Sequence, residues 1–202
     1  TICIIPARSG SKRIKNKNII SFFGKPIISY AIENALKSKL FDKVLVSTDS
    51  IKISKIANKN NALVNGLRHS KLSNNFSTVK DVLKYEIKKN NLQNYKYLCC
   101  IYPCAGPLLK SEMIKEGFKI LLKNKADQLI TVSKYDYPPE KSLIKLNNKF
   151  IKLKNKNYFN SRTQDLNDHF KDTGSLYFYK IDKLIKKNLI SKITFLEVQQ
   201  YT

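Results

Sequence analysis

TICIIPARSGSKRIKNKNIISFFGKPIISYAIENALKS, Thr1 to Ser38, decides the fold. It opens with an apolar run the length of a buried strand, crosses a basic loop of small residues, and continues as a proline-led helical pattern. In PIISYAIENALKS the proline opens the helix, and Ile28, Ile32, Ala35 and Leu36 are expected on its inner side. Outward from this unit the alternation repeats: KVLVS before SIKISKIANKN, ALV before STVKDVLKYEIKKN, YLCCI before SEMIKEGFKILLKN, and then DQLITV. Strands alternating with helix-period segments predict an α/β fold, a mostly parallel central sheet with helices on its faces. Ser111 is expected to cap the helix that carries Met113 and Ile114, and Ser77 to start the one before it.

After about residue 134 the pattern changes, because YDYPPEKS breaks any helix. The runs SLIKL and KFIKL flank an Asn147-Asn148 turn and predict a hairpin. A long irregular stretch, KNKNYFNSRTQDLNDHFKDTG, then precedes SLYFYK, a short helix at IDKLIKK and a last strand at ITFLEV. Loops of that length in a compact domain usually carry function. With no internal repeat and no linker, residues 1–202 read as one domain in which about 138–172 form an insertion.

Hydrophobic residues make up 42% of the chain, which excludes a disordered protein. No run reaches the roughly 18 to 20 apolar residues of a membrane helix, and Thr1–Ile5 is too short for a signal-peptide core, so a cytoplasmic location is expected. Lys and Arg total 38 against 15 acidic residues, a formal charge of +23. That charge would suit a nucleic acid, an anionic membrane or a polyanionic small substrate. The basic residues are spread over nearly every loop, however, whereas a nucleic-acid module concentrates them on one stripe. Cys3, Cys99, Cys100 and Cys104 show no CxxC pair or His partner of zinc-site spacing and read as reduced, buried thiols. His69 and His169 sit in no triad or paired-ligand spacing and are expected in surface or loop roles.

The loop Ala7 to Pro26 carries the chemistry. It follows the first strand, where open α/β sheets bind ligands. Gly10 between Ser9 and Ser11 lets backbone approach a phosphate, while Arg8, Lys12, Arg13, Lys15 and Lys17 bring positive charge close to it. The string is neither GxGxxG nor a Walker loop, which argues against dinucleotide enzymes and ATPases of those types.

IIPARSGSKRIKNKNI, FFGKPIISYAIENALKS and FDKVLVSTDS together resemble the N-terminal half of the CMP-acylneuraminate synthetase superfamily. Its members share a basic small-residue loop ending in Lys-Asn, a Gly-Lys-Pro turn and a Ser-Thr-Asp strand end. NSRTQDLNDHFKDTGSLYFY is most similar to the pseudaminic acid cytidylyltransferase branch, and the likeness runs over essentially the whole chain. The resemblance implies a Rossmann-like, GT-A-like nucleotidyltransferase sandwich of three layers, with a hairpin extension through which relatives form homodimers; here that is the region after Tyr137.

Residue for residue, the resemblance places Arg8, Ser9, Gly10, Ser11, Lys12 and Lys17 around the triphosphate of CTP and Asn18 at the nucleotide, with Arg8 and Lys12 as the catalytic cations. Arg68 and Ser77 are carried over as CTP contacts, while Asn75 stands where the family usually has an acid. Tyr102, in CIYPCAGP, occupies a position that is glutamine in sialic acid synthetases, a replacement typical of the pseudaminate branch. Lys141, Arg162, Gln164, Lys171 and Asp172 fall in the acceptor segment, and Arg162 suits the sugar carboxylate because a guanidinium can hold it bidentately. Tyr102 has a second reading as a strand-end core aromatic, and Arg162 as a surface salt-bridge partner.

In the implied reaction the anomeric hydroxyl of an acidic nine-carbon sugar attacks the α-phosphorus of CTP and pyrophosphate departs, which depends on alignment and charge neutralisation. Mg2+ is the implied cofactor. The superfamily takes its ligands largely from a C-terminal Asp-x-Asp string, and this sequence ends at FLEVQQYT without one. Truncation is the expectation; the alternatives are a metal held by substrate phosphates with an acid such as Asp49, and an inactive protein. Asp49 has a second reading as the cap of the following helix. Acceptor alternatives are N-acetylneuraminic and legionaminic acid. From other classes, a basic nucleic-acid-binding module and a non-catalytic nucleotide-binding relative also stand.

Overall fold

Strand β1 (Ile2–Pro6) is the axis of the sheet, and Ile2, Cys3, Ile4 and Ile5 are all fully buried. The computed structural model describes residues 1–11, 14–73, 77–186 and 189–199. Beyond the basic loop come β2 (Ser21–Phe22), β3 (Lys25–Pro26) and α1 (Ile27–Lys37). Then follow β4 (Lys43–Ser47), α2 (Ile51–Lys59), α3 (Val79–Lys89), β5 (Tyr97–Ile101) and α4 (Ser111–Lys123). The chain continues through β6 (Gln128–Lys134), β7 (Leu143–Lys145), β8 (Ile151–Leu153), β9 (Phe170–Lys180), α5 (Ile181–Ile185) and β10 (Ile193–Glu197).

The main sheet has the order β10-β6-β9-β5-β1-β4. β1 runs parallel to β4 and to β5, with Cys3 beside Val44 and Cys99, as the βα alternation predicts. β9 is antiparallel to β5, with Phe178 beside Cys99. The chain divides into two units: Thr1–Thr131 with Gly174–Leu196, and Val132–Thr173 with the residues from Glu197 on.

In the first unit, side-chain alternation gives the sheet two apolar faces. Ile2, Ile4, Leu45, Leu98 and Cys100 pack on one face with Leu83 and Ile87 of α3 and Ile181 and Leu184 of α5. On the other, α1 packs against β1, β4 and α4. Phe178 is fully buried, stacked on Phe41 at 6.4 Å and tilted against Phe118 at 5.4 Å; truncation to Ala would cost about 3–5 kcal/mol. Asp127, at the foot of β6, is buried but well satisfied. It accepts from the amides of Ser191 and Lys192 at 3.2 Å, from the Ser191 hydroxyl at 3.1 Å, and from Lys180 Nζ at 3.2 Å.

Four local expectations are corrected. ALV forms no strand: Leu63 makes one bridge to Leu45, and the chain turns away at Gly66, where φ is +74°. Leu36 is 39% exposed, and Ile27 and Ala31 fill the inner face of α1 with Ile28, Ile32 and Ala35. The cap of α3 is Thr78 rather than Ser77, because Asp81 lies three residues on and closes a capping box. Ser111 lies inside α4, after Lys110 at the cap position, and its hydroxyl donates to Glu112 at 2.8 Å.

In the second unit β7 and β8 form the expected hairpin, pairing Leu143 with Leu153 and Lys145 with Ile151. Asn147 Oδ1 accepts from the amides of Lys149 and Phe150, which sets the turn. Lys134 pairs with Asp168 at 2.6 Å, Glu140 with His169 at 3.1 Å, and Lys171 Nζ lies 5.6 Å from the centre of the Tyr135 ring. Among the described residues of this unit only Val132 and Ser133 are buried.

Candidate active site

β1, β4 and β5 run the same way, so Pro6, Ser47 and Ile101 finish at one edge of the sheet. The Ala7 amide extends the ladder by donating to Ser47 O at 2.8 Å, after which the chain turns into the basic loop. Asp49, just past β4, takes hold of that loop: its Oδ1 accepts from the Ser9 amide at 2.8 Å and its Oδ2 from the Ser9 hydroxyl at 3.1 Å. The far end of the loop is pinned by Asn18. Asn16 turns left-handed at φ +55° into the short helical turn Lys17–Ile19, and Asn18 points inward, buried, donating through Nδ2 to Arg8 O at 2.9 Å.

Arg8, Ser9 and Asn18 are thereby brought together with Asp49, and Gly10 and Ser11 lie on the same turn, where the Ser11 amide donates to Ser9 O at 2.9 Å. Lys17 lies beside them; the thiol of Cys104 lies 4.0 Å from its carbonyl oxygen and 3.9 Å from Asn18 Oδ1. A cavity of about 40 Å³ beneath the loop, lined in part by Arg8, Asn16, Asn18 and Lys52, is water-sized. Lys12, expected as a catalytic cation, and Asn75 lie outside the described residues.

Asp49 does not cap α2. Ser50 does, accepting from the Ile53 amide at 3.4 Å, and the Asp49 carboxylate is spent on Ser9.

Arg68 is only 5% exposed. Its amide donates to Thr48 O at 2.6 Å, its Nη1 to Ser47 O at 3.2 Å and Ser47 Oγ at 3.1 Å, and its Nε to Ser73 Oγ at 3.2 Å. Burial lowers its pKa from the ordinary arginine value; the fields of Asp49 and Glu86 counteract this and that of Arg8 adds to it. Ser77 donates to Lys71 O at 2.9 Å on the neighbouring loop. Tyr102 follows β5, half-buried, its amide donating to Ser175 O at 3.1 Å and its ring edge-on to Tyr177 at 5.7 Å. The core reading of Tyr102 therefore has physical substance, since the Tyr177 ring in turn stacks on Tyr179 at 6.3 Å.

Of the residues expected to meet the acceptor, Tyr102 belongs to the first unit and the others to the second. Lys141 ends the turn Pro139–Lys141, Arg162 precedes the turn Thr163–Asp165 that holds Gln164, and Lys171 and Asp172 lie in β9. Arg162, Gln164 and Asp172 are exposed.

Beneath the loop lies a group that sequence reasoning passed over. Glu86 of α3 is 5% exposed and accepts from Ser47 Oγ at 2.7 Å and from Asn90 Nδ2 at 2.9 Å. It shares the buried face of α3 with Val82, Leu83 and Ile87, so a charged residue at an apolar position of the helical period was the available signal.

No cluster of three His, Cys, Asp or Glu suited to a metal occurs among the described residues. Asp49 is the carboxylate at the loop, and each of its oxygens accepts one hydrogen bond from Ser9. A carboxylate oxygen has a second lone pair, which fits the usual manner of holding Mg2+, by one or two carboxylates plus substrate phosphates.

The sequence from residue 2 to 199 matches the family model described as cytidylyltransferase. A pseudaminic acid cytidylyltransferase of Campylobacter jejuni subsp. jejuni serotype O:2 is 36% identical over 193 residues, covering 95% of this chain and 83% of that protein. A Helicobacter pylori protein, named as a pseudaminic acid cytidylyltransferase and a UDP-2,4-diacetamido-2,4,6-trideoxy-beta-L-altropyranose hydrolase, is 37% identical, covering 98% of this chain and 39% of that one. Among solved structures, a CMP:2-keto-3-deoxy-manno-octonic acid synthetase complexed with CTP shares the fold, with a TM-score of 0.70 at 16% identity over 98% of this chain and 89% of the other. The β1 loop clasped at the strand ends and a family match along nearly the whole sequence lead to one conclusion: the chain belongs to the cytidylyltransferase family of nucleotidyltransferase enzymes.

Proposed function

We propose that this enzyme transfers CMP from CTP to the anomeric hydroxyl of pseudaminic acid and releases pyrophosphate. The observation that carries it is the small-residue loop at the end of β1, held by Asp49 and Asn18 so that Arg8, Ser9, Gly10 and Ser11 form one fixed turn. The relatives named for the same transfer support the choice of sugar.

In this reaction the sugar oxygen bonds to the α-phosphorus, the bond from that phosphorus to the bridging oxygen of pyrophosphate breaks with its electron pair going to pyrophosphate, and the hydroxyl proton passes to solvent. Charge accumulates on phosphate oxygens, so fixed cations lower the barrier. Arg8 and Lys17, with Lys12, are assigned to the triphosphate, Asn18 to the nucleotide, and Arg68 and Ser77 to the nucleotide side. Tyr102, Lys141, Arg162, Gln164, Lys171 and Asp172 are assigned to the sugar acid, Arg162 to its carboxylate. Mg2+, held by substrate phosphates together with Asp49 at the end of β4 beside the loop, would supply further neutralisation of phosphate charge.

A homodimer is proposed through the second unit, because Leu143, Leu146, Phe150, Ile151 and Phe159 are each more than half exposed and a second copy would cover them. A cytoplasmic site of action is proposed, where CTP is available; no helix among the described residues is long and apolar enough to cross a membrane. Nucleic acid is left out as a partner, since the lysines follow no stripe.

Pyrophosphate release, measured with the full-length protein, CTP, Mg2+ and each of pseudaminic, N-acetylneuraminic and legionaminic acid in turn, tests the proposal. Turnover is expected with pseudaminic acid. Preference for either other acid would overturn the choice of acceptor, and no turnover with any of them would overturn the function.

A further inference from the structure

Glu86 takes no part in the chemistry just proposed, yet a carboxyl group at 5% exposure in the last turn of α3 is costly unless its surroundings use it. Its two oxygens are both held by donors: Oε1 accepts from the Ser47 hydroxyl at 2.7 Å and Oε2 from Asn90 Nδ2 at 2.9 Å. Asn90 cannot turn over to become an acceptor, because its Nδ2 also donates to Glu86 O at 2.9 Å while its Oδ1 accepts from Asn65 Nδ2 at 2.5 Å. The direction of the chain of hydrogen bonds is therefore fixed. Glu86 accepts the hydrogen bond of the Ser47 hydroxyl, and the Ser47 oxygen is left with lone pairs toward Arg68, whose Nη1 donates to it at 3.1 Å. Arg68 is tied in turn to the end of β4 through Ser47 O and Thr48 O, one residue before Asp49.

We infer that Glu86 is a positioning residue for nucleotide binding: acting through the Ser47 hydroxyl, it holds the buried guanidinium of Arg68 at the strand edge beneath the phosphate loop. The inference rests on the cytidylyltransferase reading for the role of Arg68, but the hydrogen-bond chain stands without it. Glu86 touches no substrate; it sets the polarity of Ser47 and offsets the charge of Arg68. Arg68 in turn adds positive charge at the carboxylate that clasps Ser9. In Glu86→Gln an amide nitrogen turned toward Asn90 would set donor against donor, one turned toward Ser47 would reverse that hydrogen bond and compete with Arg68 for the hydroxyl oxygen, and in either case the offsetting charge would be gone.

The test is steady-state kinetics with CTP and the sugar acid, together with calorimetric CTP binding and thermal melting, on the full-length wild type, Glu86→Gln, Ser47→Ala, Arg68→Lys and the double variant Glu86→Gln/Arg68→Lys. The KM and Kd for CTP are expected to rise roughly tenfold in Glu86→Gln and in Ser47→Ala, the scale of one hydrogen bond to a charged group. kcat and the KM of the sugar acid should stay close to wild type. In the Arg68→Lys background Glu86→Gln should add little, since the group it positions is already altered. An unchanged affinity for CTP, or an equal loss in both backgrounds, overturns the inference; so does a lowered melting temperature without a change in CTP affinity, which is what a merely structural role predicts. If Glu86→Gln does not fold, Ser47→Ala alone decides by the same criteria. A wild type that binds CTP without turnover defeats the proposed reaction and leaves the Glu86 step to be read by calorimetry; one that binds no CTP defeats both.

Discussion

Asp49 and Ser9, forty residues apart in the sequence, meet through two hydrogen bonds of 2.8 and 3.1 Å that join the end of β4 to the loop after β1. Asp49→Ala removes both and is expected to raise the KM for CTP by about tenfold or more. Asp49→Asn keeps an acceptor for the Ser9 amide, and the Ser9 hydroxyl can accept from the new amide. If Asp49 serves only to shape the loop, Asp49→Asn should bind CTP nearly as the wild type does. A loss equal to that of Asp49→Ala, together with a raised Mg2+ requirement, would assign its charge to the metal.

The cations assigned to the two substrates belong to different units of the chain. Arg8→Ala is expected to raise the KM for CTP, and Arg162→Ala to raise that of the sugar acid, each by about 10- to 100-fold, with little effect on the other substrate. Initial rates over a grid of both concentrations measure this, and unaltered sugar kinetics in Arg162→Ala would remove it from the carboxylate.

The thiols differ in access. Cys3, Cys99 and Cys100 are fully buried, and burial pushes the Cys99 and Cys100 thiols well up from the ordinary value. Cys104 is half-buried and raised less, its burial partly offset by Lys17. A thiol-disulfide reagent at pH 8 should therefore modify Cys104 first, and the other three on the timescale of unfolding. CTP should slow the modification of Cys104. Rapid reaction of all four in the native protein would contradict the burial.

Asp127 gives the fold an acid-sensitive tie. Burial alone would raise its pKa, but hydrogen bonds from the Ser191 and Lys192 amides, Lys180 and the Ser191 hydroxyl prevail and hold it well below the ordinary range. A folded-state pKa below the unfolded value near 3.9 contributes stability above that pH, and the contribution is lost as the pH falls toward the folded value. Asp127→Asn is expected to lower stability by about 2 kcal/mol at pH 7 in urea unfolding, with the gap from wild type closing below about pH 4. A constant gap across the range would show that packing is responsible.

Gly106 follows the turn after Tyr102, and a Cβ there would run into the backbone nitrogen of Ala31 in α1. Gly106→Ala should cost about 1–3 kcal/mol and lower the melting temperature accordingly. Unaltered stability would mean that the turn and α1 can part without penalty.

The first half of the molecule was legible because its signals are local. A five-residue apolar run, a loop of Gly and Ser, and a proline before a helical period each constrain their own neighbourhood, and β1, the loop and α1 follow from them. Caps were misplaced where hydroxyls are adjacent: Thr78, and not Ser77, has an acid three residues on, a distinction the sequence did contain. The place of β9 in the sheet was not legible, since a strand's apolar residues tell which faces are covered and nothing of which edge it joins. The clasp of Ser9 by Asp49 and the Glu86 chain are long-range hydrogen bonds, invisible to any window of sequence; only the misplaced charge of Glu86 hinted at one of them.

The antiparallel insertion of β9 next to β5 also sets a timetable for the nascent chain. Until residues Phe170 to Lys180 have left the ribosome, the outer flank of Tyr97–Ile101 has no neighbour, and Phe178 is missing from between Phe41 and Phe118. The chain must therefore be made through β9 before its hydrophobic interior can close, and a released product ending near residue 150 would present an unprotected, cysteine-containing strand ready to aggregate.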